Sequence, residues 1–222
     1  MFPLGDTHSS RSFPFMTTLL IVLNSVVFVA ELFSLNLENF IIQYALTPAL
    51  VDLTHPSTFT PFISAIFLHG GFLHILSNMW FLWIFGDNVE SRLGGWFIPF
   101  FLTGGLIGNL LQYFLDPSSP IPILGASGAV AAVLGAYIVL FPRNRIKTLV
   151  PFFGFITVIN IPATIMLFYW LFIQIFNGAA SVVTNASAFG GVAWFAHIGG
   201  FVGGWLAAQL FNNSNTNLRA RV

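Results

Sequence analysis

Four side chains of this sequence have types and spacings that suit nucleophilic chemistry. Ser127 lies in L-G-A-S-G-A-V-A-A-V-L-G, a run of small and apolar residues from Leu124 to Gly135. His197 stands in A-H-I-G-G-F-V-G-G, and His74 and Asn78 stand four apart in H-I-L-S-N. A serine nucleophile needs a base to take its proton, and imidazole is the usual one. Backbone and side-chain N–H groups then stabilise the oxyanion that forms. Each residue also has a plainer reading. Gly, Ala and Ser at helical spacing let membrane helices approach closely, and His74 with Asn78 would serve as polar glue between helices. Read alone, the serine run does not separate packing from chemistry.

The elements that must hold these residues follow from composition. Of 222 residues 56% are hydrophobic and 6% charged, against about a quarter charged in a soluble domain. This is the composition of a membrane protein. Seven basic and seven acidic residues cancel, so there is no basic surface for nucleic acid. The absence of cysteine excludes disulfides, thiolate catalysis, zinc-cysteine sites and iron-sulfur clusters. The H-E-x-x-H signature of a zinc protease is absent, and no metal or other cofactor is called for. An aspartyl site needs two acids at membrane depth, whereas Asp87 and Glu90 lie together at one end.

The reading is an all-α polytopic membrane protein, one domain over residues 1–222 with six transmembrane helices. Stretches near the roughly 20 residues that cross a bilayer lie at 13–33, 72–90, 96–115, 126–141, 155–176 and 194–211. The first is too long for a signal peptide's apolar core, and no small-x-small cleavage site follows it, so it reads as a retained span. Residues 35–71 are apolar but broken by Pro48, Asp52, Pro56 and Pro61, which suits short interfacial helices. With six crossings all seven basic residues fall on one side: Arg11, Arg92, Arg143, Arg145, Lys147, Arg219 and Arg221. The positive-inside rule makes that side, and both termini, cytoplasmic.

Spans two, four and six then run the same way and carry His74 with Asn78, Ser127 and His197 at their outer ends. From Ser127 to Pro142 is 16 residues, roughly 24 Å of helix and short of the hydrocarbon thickness. The Asp116 to Leu124 loop is therefore expected to dip inward and line a wet pocket beside Ser127. Gly200 with Gly204, and Gly199 with Gly203, are small-xxx-small pairs that would bring span six against span four, where Gly125, Gly128, Ala131, Ala132 and Gly135 keep the surface small. His69, in the H-G-G turn before span two, reads as a loop-fixing hydrogen-bond partner. Glu90 and Arg92 read as fixing the turn between spans two and three. His8 and His55 carry no signal.

Taken in order, H-G-G-F-L-H-I-L-S-N-M-W-F-L-W-I-F-G-D-N-V-E-S-R-L-G, G-A-S-G-A-V and A-H-I-G-G-F-V-G-G resemble the rhomboid family of intramembrane serine proteases. The resemblance runs from about Phe59 to Phe211 and includes T-G-G-L-I-G-N-L-L-Q and the I-P-A start of span five. It implies a rhomboid-like bundle with Ser127 as nucleophile and His197 as general base, a dyad without a carboxylate. It also implies an oxyanion hole of His74, Asn78 and the Ser127 N–H. The partners it implies are the lipid bilayer and transmembrane-helix substrates, cut near their outer end through an acyl-enzyme. Span five and the Asn177 to Ala193 loop would form the gate and cap. The expected location is the plasma membrane, with the site, by the charge asymmetry, open to the extracytoplasmic side. One position departs: the tyrosine that packs on the histidine ring in some members is Ala131 here, so something else must hold His197. The alternative is a catalytically silent relative that binds transmembrane helices. Such a chain is expected to lose the serine or the histidine, and this one keeps both.

Overall fold

The computed structural model describes residues 2–7, 12–152, 155–184 and 191–219. Arg11, Arg221 and His8, together with residues 185–190 of the expected cap, lie outside the described residues. Six helices of 14 residues or more carry the fold: α1 (Phe15–Leu32), α4 (Phe72–Leu93), α5 (Phe97–Leu115), α6 (Ser127–Leu140), α7 (Ala163–Thr184) and α8 (Trp194–Arg219). Between α1 and α4, residues 35–71 form the short helices α2 (Leu37–Tyr44) and α3 (Pro61–Ser64) and several single turns. Prolines at the first position of α3 and of two of those turns start them where no N–H is needed.

Among the described residues three stretches are long and apolar enough to cross a membrane: Phe15–Leu32, the Phe72–Leu115 run that holds α4 and α5, and Ala163–Val183. The apolar α6 is shorter, at 14 residues, or about 21 Å. It is the core of the bundle. Every residue from Gly128 to Ile138 is buried, and α4, α5, α7 and α8 all pack on it. A helix apolar on all sides belongs in such a central place.

Glycine sets the spacing around α6. A Cβ at Gly200 or Gly204 of α8 would fall inside the contact radius of the Gly128 or Ala132 carbonyl oxygen of α6. One at Gly135 of α6 would meet the Phe201 carbonyl of α8 in the same way. On the other flank of α8, a Cβ at Gly108 of α5 would strike the Ala196 carbonyl. The three helices touch backbone to backbone, which only hydrogen side chains permit.

The fold is not wholly α-helical. Strands β1 (Phe2–Asp6), β2 (Arg145–Phe152) and β3 (Phe155–Pro162) form an antiparallel sheet in the order β1-β2-β3. The span expected over 155–176 is corrected accordingly: residues 155–162 are strand, paired from Phe152↔Phe155 to Arg145↔Pro162, and the helix runs from Ala163 to Thr184. Ile156, Thr157, Val158, Ile159 and Ile161 are β-branched and favour the extended chain. Pro162 has no N–H to give to a helix interior, and α7 begins directly after it. The first eight residues of the loop expected from Asn177 to Ala193 belong to α7 instead.

The sheet ties two helices together. Trp80 of α4 donates its indole N–H to the Pro3 carbonyl at 2.8 Å and stacks on Phe2, and Asn88 of α4 donates to the Asp6 carboxylate at 2.9 Å. On the next strand the buried Thr148 hydroxyl meets Met166 Sδ of α7 at 3.7 Å.

Candidate active site

The N-terminal ends of α4, α6 and α8 meet at a cavity of about 1020 Å³. His74, Asn78, Ser127 and His197 all line it, with Trp170 of α7 and part of the 115–124 loop. The structure therefore brings the four sequence candidates together. His69 is buried behind His74, its ring edge-on to the His74 ring with centroids 5.2 Å apart.

Ser127 is the first residue of α6, so its own N–H and those of Gly128 and Ala129 have no acceptor within the helix. Gly125 shapes the turn before it. Its φ of +128° is a conformation glycine favours. A Cβ there would stand 2.7 Å from Cε1 and Nε2 of His74 and 3.7 Å from Ser127 Oγ. Gly125 is thus the place where the His74 ring closes over the serine turn. The loop leading in is pinned by Gly125 N–H to the Ala65 carbonyl at 2.8 Å and by a two-way bridge between Leu46 and Ile123 at 2.7 and 3.0 Å.

His197 is the fourth residue of α8. Gln112 of α5 caps that helix from outside, its Oε1 accepting from the Phe195 and Ala196 N–H groups at 3.1 and 3.3 Å. A Cβ on Gly128 would meet the Ala196 carbonyl oxygen at 3.3 Å, which fixes how closely the residue beside His197 lies to the residue beside Ser127. Among the described residues Ser127 Oγ makes no hydrogen bond, and the contact with imidazole is one that often tightens only with substrate in place.

The ring of His197 has two holders that the sequence reading missed. Its Nδ1 lies 2.8 Å from Gln174 Oε1, and the Trp170 ring stands at 5.8 Å in a tilted stack. Both residues come from α7, one turn apart. They occupy the role left open by Ala131, which is fully buried against the other helices. The orientation of the Gln174 amide is set by its other end, where Nε2 donates to the Trp170 carbonyl at 3.1 Å. Oε1 can only accept, so Nδ1 of His197 carries the proton and Nε2 is left with its lone pair. A signal for this existed: a glutamine four residues after a tryptophan inside an apolar span has to face protein.

Asn78 is buried and gives one of its two amide protons to the His74 carbonyl at 3.1 Å, leaving the other for an acceptor in the cavity. His69 fixes its loop differently from the expectation. Its backbone N–H, not its ring, makes the bond, to the Glu31 carboxylate at 2.9 and 3.2 Å. Both ring nitrogens are buried without a hydrogen-bond partner among the described residues. Burial, with His74 close by, pushes the imidazole down to about 4, so it is neutral. At the turn between α4 and α5 Glu90 contributes only its backbone carbonyl, which accepts from the Gly94 N–H. Its carboxylate caps α1, accepting from the Met16 and Thr17 N–H groups at 2.9 and 2.8 Å and the Thr17 hydroxyl at 2.7 Å. The Arg92 guanidinium lies 5.9 Å over the Phe141 ring. Unfilled N–H groups at a helix start attract a carboxylate more strongly than a tight turn does. His55 pairs with Asp52 in the α2–α3 region, and neither residue lines the cavity.

Fold and cavity together define a mostly helical, multi-pass membrane protein with a polar site where helix ends meet. The rhomboid domain family matches residues 56–214, and the chain belongs to that family. Among curated relatives it is 31% identical to the rhomboid protease GluP of Bacillus subtilis over 150 residues, which is 66% of this chain and 25% of that protein. It is 37% identical to the putative rhomboid protease YdcA of the same organism over 87 residues, 38% of this chain and 43% of that one. With the human mitochondrial presenilin-associated rhomboid-like protein it shares 32% over 100 residues, 43% of this chain and 26% of the relative. The matches span between about a quarter and under half of these relatives' lengths.

Proposed function

We propose that this chain is an intramembrane serine endopeptidase that cleaves transmembrane segments of other membrane proteins near their outer end. The observation that carries the reading is the meeting of Ser127, His197, His74 and Asn78, from three different helices, on one cavity. Family membership and relatives named as proteases support it.

In this reading Ser127 Oγ attacks the scissile carbonyl carbon as His197 Nε2 takes its proton. The Gln174 acceptor on Nδ1 keeps the lone pair on the reacting nitrogen. The carbonyl oxygen becomes an oxyanion, met by the Ser127 N–H, the second Asn78 amide proton and His74. Collapse breaks the C–N bond, the imidazolium gives its proton to the leaving amine, and an ester on Ser127 remains. Water, deprotonated by His197, then attacks the ester and restores the serine. Each step conserves its protons on one imidazole, so a dyad suffices. The six-crossing topology, the cytoplasmic termini and a plasma-membrane location with an extracytoplasmic site belong to the same proposal. The topology and orientation rest on the asymmetry of Lys and Arg along the chain.

Fluorophosphonate labelling is the direct test, because a packing serine does not react. Labelling of the full-length protein that is lost in Ser127→Ala supports the reading, and an unlabelled wild-type protein overturns it. Asn78→Ala is expected to lower kcat by about 10- to 1,000-fold, the scale for one oxyanion donor, and an unchanged kcat removes Asn78 from that role. Gln174→Ala is expected to lower kcat about 5- to 10-fold with KM unchanged, the equivalent of one hydrogen bond that selects the tautomer. Equal loss in KM would instead make Gln174 a substrate contact.

A further inference from the structure

The buried Glu31 has no part in the scheme above. It lies in the last turn of α1, is 3% exposed, and both carboxylate oxygens accept from one backbone N–H, that of His69, 38 residues away. Placing a carboxylate inside a membrane bundle is costly, and an apolar side chain would fill the space at lower cost. Packing alone therefore gives no reason for an acid there.

What the carboxylate holds does give one. His69, Gly70 and Gly71 form the turn that launches α4, and His74 is the third residue of that helix. One turn earlier on α1, Phe28 is buried edge-on against Phe72, the first residue of α4, at 5.2 Å. Glu31 and Phe28 thus grip the chain on both sides of the Gly70-Gly71 pair. The His69 ring in turn backs the His74 ring, whose other side closes on Gly125 and the serine turn.

Building on the serine-protease reading, we propose that Glu31 is a positioning residue for the reaction: by fixing the His69 amide it sets where the His74 imidazole stands relative to Ser127. The needed property is an acceptor oxygen at that reach, not a negative charge. Glu31→Gln keeps the acceptor, whereas Glu31→Met has a similar volume and none.

The test uses the full-length protein, a transmembrane test substrate and a fluorophosphonate probe. For Glu31→Met, kcat and the labelling rate are expected to fall about 10- to 100-fold together, as for a group displaced by about 1 Å, with KM within about twofold of wild type. Amide exchange should rise at residues 68–71. Glu31→Gln is expected to restore kcat, labelling and protection. If Glu31→Met does not fold, Glu31→Asp, which withdraws the oxygens by one methylene, replaces it. A wild-type kcat in the variant lacking the acceptor, or an equal fall in Glu31→Gln, overturns the inference. An inert wild-type protein overturns the protease reading itself, so the two failures are told apart.

Discussion

Replacing Ser127 with alanine is expected to abolish both substrate cleavage and fluorophosphonate labelling while leaving the thermal midpoint nearly unchanged. The loss in kcat should be on the order of 10⁶-fold, the scale for removing a serine nucleophile. The stability change should stay within about 1 kcal/mol, because Ser127 Oγ makes no hydrogen bond among the described residues and Cβ is retained. The two readings of the serine separate sharply here. Alanine serves a packing role as well as serine does, so retained cleavage would make Ser127 a spacer. His197→Ala should be equally inactive but less stable. It leaves Gln174 Oε1 without its partner in a buried place, at a cost of about 1 to 3 kcal/mol. Activity lost without stability in one variant, and with it in the other, is a pattern that a purely structural role for both residues does not produce.

The dyad's geometry is not self-supporting, and this is where the sequence was least informative. The apolar runs that became α1, α4, α5 and α6 were legible because each is bounded by glycine, proline, asparagine or charge. Ser127, His197, His74 and Asn78 stood out because polar groups are rare in such runs. The hands that hold them did not stand out in the same way. Gln174 reaches His197 across 23 residues, Gln112 caps α8 across 83, and Glu90 caps α1 across 74. Each is an ordinary residue in its own neighbourhood, and only the packing of distant helices gives it a partner. The sheet escaped for another reason. Residues 155–161 are mostly apolar and rich in β-branched side chains, and over so short a run a strand and a helix segment are not told apart by hydrophobic periodicity. Pro162 marked the true boundary, since a helix begins easily after proline and does not run through it.

Glycine, by contrast, was legible in kind but not in consequence, and Gly200→Ala is expected to have the second largest effect. The Cβ it adds would fall on the Gly128 carbonyl oxygen and stand 3.2 Å from Gly128 Cα. These are backbone atoms, which cannot rotate away as a side chain can. The helices must part, and overpacking of this kind costs about 1 to 3 kcal/mol or more. Gly200 lies one turn after His197, and Gly128 directly follows Ser127. The same displacement therefore opens the dyad, and about 1 Å there is worth about 100-fold in rate. Gly203→Ala is the control. Its Cβ would meet only the Ile107 side chain, at 3.0 and 3.2 Å, which can shift to another rotamer. Cleavage rate and thermal midpoint measured together should show both falling in Gly200→Ala and neither falling far in Gly203→Ala. Equal behaviour of the two would mean that close backbone contact between α6 and α8 is not what brings base and serine together.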